Sequence, residues 1–462
     1  MTTVTHQAVQ AKFRWLVLLV SIGFFMQALD TTIVNTAIPA MAIQLNENPL
    51  QMHGVIIAYV LSVAAFIPLS GWLADRFGIR NVYLAAMIIF SLASLGCGLS
   101  QSLDQLLFCR VLQGIGGALL MPVGRLALLK IIPRTQFLSA MSLMSLAGLI
   151  GPLMGPTLGG WLVEFTTWHW IFLINLPMGV LGIIMTLKIM PNHKESTVKS
   201  FDFSGFILLM VAMIGLSLGI ENIAMPQYAG WVSISLLLIG SMAALGYAYH
   251  AHIHQNALFH GRLFRYKIYS IGILGNFFAR LGSNAIPFIL PLMLQVAFGF
   301  EPFVTGLMMI PMVLGSLFSK PIIRPIIQRV GYRRFLLSNT VLVGICIASF
   351  ALMTAATPLW IKVLHLFIFG TLNSLQFVGM NTLTLKDLPQ HDASSGNSFL
   401  SMIMMLSMSI GVALAGTLIN VFEQYFATAS MSIAFHRTLI ILGCINIITA
   451  LIFWQIPKET QD

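Results

Sequence analysis

Of the chain's 462 residues, 58% are hydrophobic and only 8% charged, where an ordinary soluble protein carries about 25% charged residues; this excludes a soluble globular domain and makes the chain an integral membrane protein. The formal net charge of +10 does not point to nucleic acid, because no basic, aromatic-interleaved polar segment carries it, and inner-membrane proteins collect Lys and Arg in cytoplasmic loops for topological reasons. Cys97, Cys109, Cys346 and Cys444 lie in or beside apolar runs without a CxxC or Cys/His cluster, which argues against structural disulfides and zinc.

A helix needs about 20 mainly apolar residues to cross the hydrocarbon core, and fourteen runs qualify. They are Trp15–Ile38, Met52–Leu73, Val82–Ser100, Leu103–Leu129, Leu138–Glu164, Trp168–Met190, Phe203–Glu221, Gly230–His250, Tyr269–Phe298, Phe303–Ile323, Phe335–Thr354, Leu359–Leu383, Phe399–Phe422 and Ala434–Trp454. None alternates in polarity as the strands of a membrane barrel do, so the expected fold class is an all-α membrane protein with fourteen transmembrane helices. A short polar head with Lys12 and Arg14 precedes the first run; that run is too long for a signal-peptide core and has no A-x-A site, so it is expected to stay as an uncleaved anchor.

Span one contains Leu29-Asp30-Thr-Thr-Ile-Val-Asn35-Thr-Ala-Ile-Pro39. A carboxylate near a bilayer centre costs about 2.5–3.5 kcal/mol on insertion scales, which makes it a functional candidate by default. Asp30 is the one acid well inside a predicted span, since Glu164, Glu221 and Glu423 fall near span ends. Two roles fit it: an ionisable group that exchanges a proton, or a cross-link between helices through Thr31, Thr32 and Asn35.

After span two comes Gly71-Trp-Leu-Ala-Asp75-Arg76-Phe-Gly78-Ile-Arg80, whose glycines suit close helix approach and a tight turn while Asp75 and the arginines suit a charge lock between helix ends. Span four carries Arg110-Val-Leu-Gln113-Gly114-Ile-Gly116-Gly117-Ala118; an arginine at that depth needs carboxylate, carbonyl or water partners, and serves as an anchor or a proton-relay member. In span five, Gly151-Pro152-Leu-Met-Gly155-Pro156-Thr-Leu-Gly159-Gly160 repeats glycine every four residues, a smooth face for tight packing, with two prolines expected to bend the helix. Span six opens with Trp168-His169-Trp170-Ile-Phe-Leu-Ile-Asn175-Leu-Pro177-Met-Gly179.

His250 and His254 share a helical face at the end of span eight, but with no Cys or carboxylate beside them in sequence they read as interfacial histidines rather than metal ligands. Arg280 in span nine and Lys320 in span ten suit an anionic substrate or a pairing with Asp30, while for Arg125 and Lys320 snorkelling to the membrane face is the simpler reading. Met402, Met404, Met405 and Met408 suit either an adaptable pocket or ordinary packing.

With the N-terminus cytoplasmic, the inside loops collect the basic residues and outer connections receive only Lys362 and Arg437 at span edges; the positive-inside rule then places both termini in the cytoplasm. The turn after span two is echoed after span ten by Gln328-Arg-Val-Gly331-Tyr-Arg333-Arg-Phe-Leu-Leu337, an offset of 253 residues between Gly78 and Gly331. Three segments follow: 1–195 as a six-helix bundle, 196–260 as two inserted transmembrane helices, and 261–462 as a second six-helix bundle. Parallel six-span repeats are a transporter architecture with the substrate site near the midplane at their interface.

The segment 71–80 resembles the loop signature of the major facilitator superfamily, and the span-four and span-five segments are similar to that family's arginine motif and its antiporter motif. The span-one and span-six segments resemble signatures of its fourteen-span drug:proton antiporters, the EmrB/QacA-like branch; Ile79 in the loop signature and His169 in the span-six signature stand where the family often has basic residues. The resemblance implies the major facilitator fold and a proton-coupled exporter in the bacterial inner membrane. Together with the reading of charges inside the spans, it points to Asp30, Arg110, Asn35, Gln113 and Arg280 for proton coupling and substrate; the resemblance assigns Gly71, Asp75, Arg76, Gly78 and Arg80 to a conformational lock, and Gly151, Pro152, Gly155, Pro156, Gly159 and Gly160 to the antiporter motif.

No Walker A loop, HExxH or Gly-x-Ser-x-Gly elbow is present, so the expectation is a non-enzyme driven by an ion gradient. Its partners are expected to be a small-molecule substrate, protons and membrane lipid, with no cofactor, no metal and no nucleic acid, acting as a monomer. Export of drug-like or amphipathic compounds leads; export of a dedicated metabolite, proton-coupled uptake and a non-transporting sensor stand as alternatives.

Overall fold

The computed structural model describes residues 2–49, 52–132, 134–195, 200–224, 230–254, 256–425 and 431–457. In hydrocarbon every backbone N–H and C=O must find a partner within the segment, which leaves the helix as the open-ended solution. Twelve helices among the described residues are long and apolar enough to cross a membrane, and the bent pair Gly54–Phe66 and Leu69–Phe77 makes a thirteenth span. The helix Arg134–Phe165 occupies the remaining position, so each of the fourteen expected runs has its helix.

Span two breaks by 56° between Phe66 and Leu69, where Pro68 offers no N–H to the ladder. Span nine is also segmented, into Lys267–Ser283, Ile286–Leu292 and a π turn Met293–Ala297 that follows Pro291. Span five, by contrast, runs as one helix through both Pro152 and Pro156. The repeat has a backbone counterpart: Gly78 has φ 92° and ψ 142°, and Gly331 has φ 79° and ψ 155°. Each ends one span and starts the next in a conformation only glycine adopts without strain.

Span one (Thr2–Leu45) packs most extensively on span five, span three (Ile79–Gly98) on span four (Leu103–Ile131), and span two on span four. Among the later spans, Pro302–Val330 packs on Leu359–Lys386, and Tyr332–Ser349 on Met431–Phe453. Spans seven (Phe203–Glu221) and eight (Gly230–Ile253) pair with each other, and span seven rests on span thirteen (Gln390–Tyr425).

The first six spans meet the last six at one end of the bundle. Hydrogen bonds joining them include those from Thr157 Oγ1 to the Gly306 carbonyl (3.2 Å), from Gln295 Nε2 to the Thr36 carbonyl (3.0 Å), and from the Phe303 N–H to Glu164 Oε2 (3.0 Å). These three lie near the connections between spans one and two, five and six, and nine and ten. Seam packing there is backbone to backbone: a Cβ on Gly160 would strike the Pro302 carbonyl, and one on Gly306 the Pro156 carbonyl.

Candidate functional site

Asp30 is completely buried, and its partners account for the position. Arg110 Nη1 donates to Asp30 Oδ2 at 2.6 Å, while Gln113 Nε2 at 2.8 Å and Asn175 Nδ2 at 3.2 Å donate to Oδ1. Arg110 and Gln113 are three residues apart and therefore neighbours on one face of span four; Asn175 comes from the first turn of the main segment of span six, Asn175–Ile189.

Arg110 is equally enclosed, with 1% exposure. It also donates from Nη1 to Gln113 Oε1 (2.6 Å) and from Nε to the Val55 carbonyl (3.1 Å), and its guanidinium lies 4.3 Å from the Tyr59 ring centroid. Ser94 of span three ties Gln113 and Asn175 together from behind, at 2.8 and 3.5 Å. Charge is thus neutralised inside the first six spans, in a network reaching spans one, two, three, four and six.

Asn35, also assigned to this site by the resemblance, is buried one turn and a half further along span one and is not among the groups bonded to Asp30. Arg280 does not meet Asp30 either; it donates from Nε to Asn276 Oδ1 (3.0 Å) and from Nη2 to Asn381 Oδ1 (3.4 Å), within the last six spans. Lys320 is exposed on span ten. The cross-link through Thr31 and Thr32 is not what holds Asp30, because both hydroxyls donate to carbonyls of their own helix, the usual competition of such side chains for a local acceptor.

The glycine stripe of span five is where span one leans. A Cβ on Gly151 would lie 2.8 Å from Ala28 Cβ, one on Gly155 would strike the Thr32 hydroxyl, and one on Gly159 would lie 2.5 Å from the Ile33 carbonyl. These contacts bracket Asp30, and Gly160 on the same helix faces span ten. Gly155→Leu is therefore expected to destabilise the protein by about 1–3 kcal/mol through overpacking, read as a lower midpoint of thermal unfolding in detergent.

The charge contacts after span two differ from the expected pairing of Asp75 with the arginines. Asp75 accepts from Lys130 Nζ (3.0 Å), at the end of span four, and Lys130 also binds Glu195 Oε1 (2.6 Å). Arg76 stacks over Trp72 at 5.4 Å, and Arg80 Nε has no hydrogen-bond partner among the described residues. Asp75 and the arginines are close in sequence, but the helix directs them apart, and the segment after span six fills the gap: Glu195 N–H bonds the Asp75 carbonyl, Ile79 N–H the His193 carbonyl, and Asn192 occupies the space beside Gly78. The Lys130 ammonium beside Glu195 holds its carboxyl below the usual carboxylate range, so this exposed contact weakens as the pH falls. Among the described residues Gly71 has no neighbour within 4 Å of where a Cβ would stand, so no close helix approach is made there in this arrangement.

His250 also has a partner its sequence neighbourhood hides: Nε2 lies 2.8 Å from Asp202 Oδ1. Asp202 caps span seven by accepting from the Gly205 N–H (2.8 Å) and also accepts from the Leu258 N–H. This reads as a staple between spans seven and eight.

Sequence reasoning missed Asn175, Ser94, Tyr59, Lys130 and Glu195. Asn175 had a signal, being a polar residue at the start of an apolar span within a recognised segment; the others had none beyond residue type.

The profile of the Major Facilitator Superfamily matches residues 20–412 and 272–462. A protein named "Putative multidrug resistance protein MdtD" in Pectobacterium atrosepticum is 49% identical over 456 residues, covering 97% of each chain. The protein of that name in Salmonella typhi is 49% identical over 97% of this chain and 96% of its own. Among solved structures, a POT family transporter in complex with 5-aminolevulinic acid superposes with TM-score 0.70 at 16% identity, covering 95% of both chains. A D-xylose-proton symporter superposes with TM-score 0.69 at 13% identity, covering 97% of this chain and 98% of its own; both likenesses concern the fold. With a profile spanning nearly all of it and MdtD-type relatives aligned end to end, the chain belongs to the major facilitator superfamily as a multi-pass membrane transporter.

Proposed function

We propose that this secondary transporter exports drug-like or amphipathic small molecules across the bacterial inner membrane in exchange for protons, by alternating access and as a monomer. The observation that carries the reading is the buried quartet of Asp30, Arg110, Gln113 and Asn175. Segments 1–195 and 261–462 act as the two moving bundles, with 196–260 as an inserted helix pair and both termini in the cytoplasm. The end where the bundles now meet is then the outer one.

The geometry supplies a path from proton to movement. A proton on Asp30 removes the carboxylate charge and with it the ionic partner of Arg110. Arg110 Nε holds the Val55 carbonyl, in the first turn of span two. Two residues earlier stands His53, buried against Phe288 of span nine and Gly416 of span thirteen. Loosening Arg110 therefore loosens the start of span two where the bundles touch.

Driving force is adequate: one charge moving through 100 mV supplies about 2.3 kcal/mol, enough for roughly a fifty-fold gradient of a neutral solute at about 1.4 kcal/mol per tenfold. Asp30 meets a guanidinium rather than an open cavity, so direct competition between drug and proton for this carboxylate is replaced by competition between proton and Arg110.

Proteoliposomes with an imposed pH gradient test the reading. An exporter moves a fluorescent amphipathic probe against its gradient, and a protonophore stops it. Accumulation in the direction of proton flow identifies an uptake symporter instead, and equal probe movement with and without the protonophore removes proton coupling.

A further inference from the structure

The charges inside the two groups of spans are unequal. In the first six, Arg110 is matched by Asp30. In the last six, Arg280 is 6% exposed and among the described residues has only neutral amide acceptors, Asn276 Oδ1 and Asn381 Oδ1. The ring of Phe377 lies 4.3 Å from its guanidinium carbon. Apart from Asp30, the acids of the described residues lie at or beyond helix ends: Glu301, Asp387, Asp392 and Glu423 serve the last six spans, and Asp392 is already held by Arg262 and Tyr266.

A guanidinium has five N–H donors in a fixed fork suited to a carboxylate, and the two bonds to Asn276 and Asn381 leave its Nη1 group unused. That nitrogen is nevertheless absent from the sealed, unpartnered atoms of the described residues, so it keeps some accessible surface. An arginine within the membrane faces the bundle interior or a water-filled cavity, and the partly exposed Asn381 and the exposed Phe377 lie on the accessible side of this guanidinium. Spans nine and twelve carry these groups, and span nine is the one whose Gln295 reaches span one.

We propose that Arg280 is the receptor for an anionic group of the transported molecule, a carboxylate seated on the free edge of the guanidinium between Asn276, Asn381 and Phe377. The assignment rests on the transport reading above and narrows its substrate to organic anions. An uncompensated buried cation is costly, and a substrate carboxylate is the counter-charge that no described acid of the last six spans provides. A cationic drug would meet the opposite situation, with Arg280 unpaired and Asp30 already taken by Arg110.

The test is counterflow in proteoliposomes with three radiolabelled probes: succinate, p-aminohippurate and the cation tetraphenylphosphonium. Wild-type protein is expected to exchange at least one of the two carboxylates. Arg280→Gln should lower that exchange by about tenfold or more. Asn381→Asp, which supplies an internal carboxylate beside an intact Arg280, should lower it comparably while eluting as a folded monomer. Carboxylate exchange at the wild-type rate in both variants overturns the assignment. Movement of tetraphenylphosphonium alone overturns it too while leaving the transport reading standing, whereas movement of no probe overturns the transport reading and the assignment with it.

Discussion

Asp30→Asn is expected to abolish proton-coupled transport and to destabilise the protein by about 3–5 kcal/mol, because it leaves the enclosed Arg110 guanidinium without its counter-charge. The pair is 2.6 Å apart, at 1% and 0% side-chain exposure, so no solvent is present to take over. Adding Arg110→Gln removes the orphaned charge. The double variant is therefore expected to recover most of the lost stability and none of the coupling. Thermal unfolding in detergent reads the first quantity, and probe movement under an imposed pH gradient reads the second. Wild-type proton-coupled transport in Asp30→Asn would show that the acid only ties helices together. A double variant no more stable than Asp30→Asn would show that the buried charge is not the source of the loss.

The second large effect is expected at the seam between span five and span ten. Gly306→Leu places a side chain against the Pro156 carbonyl and the Thr157 Cα, backbone atoms that cannot rotate away. Overpacking of about 1–3 kcal/mol falls only on the arrangement in which this end is closed. Its population should then drop by about tenfold or more at the upper part of that range, at 1.4 kcal/mol per tenfold. Packing within each group of spans is untouched, so the variant should fold, yet transport should fall with the closed state. Spin labels at Trp161→Cys and Leu307→Cys, two exposed positions flanking the seam, in a background without the native cysteines, should report a longer mean distance in Gly306→Leu. An unchanged distance would mean that the contact is not what closes this end.

Much of the architecture was legible in advance for a local reason. A membrane-crossing helix is specified by the composition of about 20 consecutive residues, so the runs could be read one by one. Their ends were harder, because helices such as Pro302–Val330 and Leu359–Lys386 continue beyond the apolar stretch, burying or solvating their polar ends. Segmentation of span nine was not anticipated: Pro287 and Pro291 were visible, but span five carries two prolines as well and runs on as one helix.

For the site, Asp30 and Arg110 stood out individually since an ion in an apolar run is costly wherever its partner lies. Their pairing across 80 residues was one option among several, beside Arg280. Gln113 was within reach because it lies one helical turn from Arg110. Asn175 was quoted as part of a motif without its bond to Asp30 being foreseen, since nothing in the order of residues says that spans one, four and six converge at that depth.

By itself, the sequence determined the spans, the acid that lipid would not tolerate, and the two glycine turns 253 residues apart, because each follows from local energetics: hydrophobic length, the cost of a buried charge, and a backbone angle only glycine takes. The tertiary structure alone decided which charges meet. Asp75 pairs with Lys130 rather than with the arginines beside it, Asp30 with Arg110 rather than Arg280, and Asp202 with His250. Those choices are made by helices packing at set distances and rotations, and a side chain can answer only a partner that the packing brings within about 3 Å.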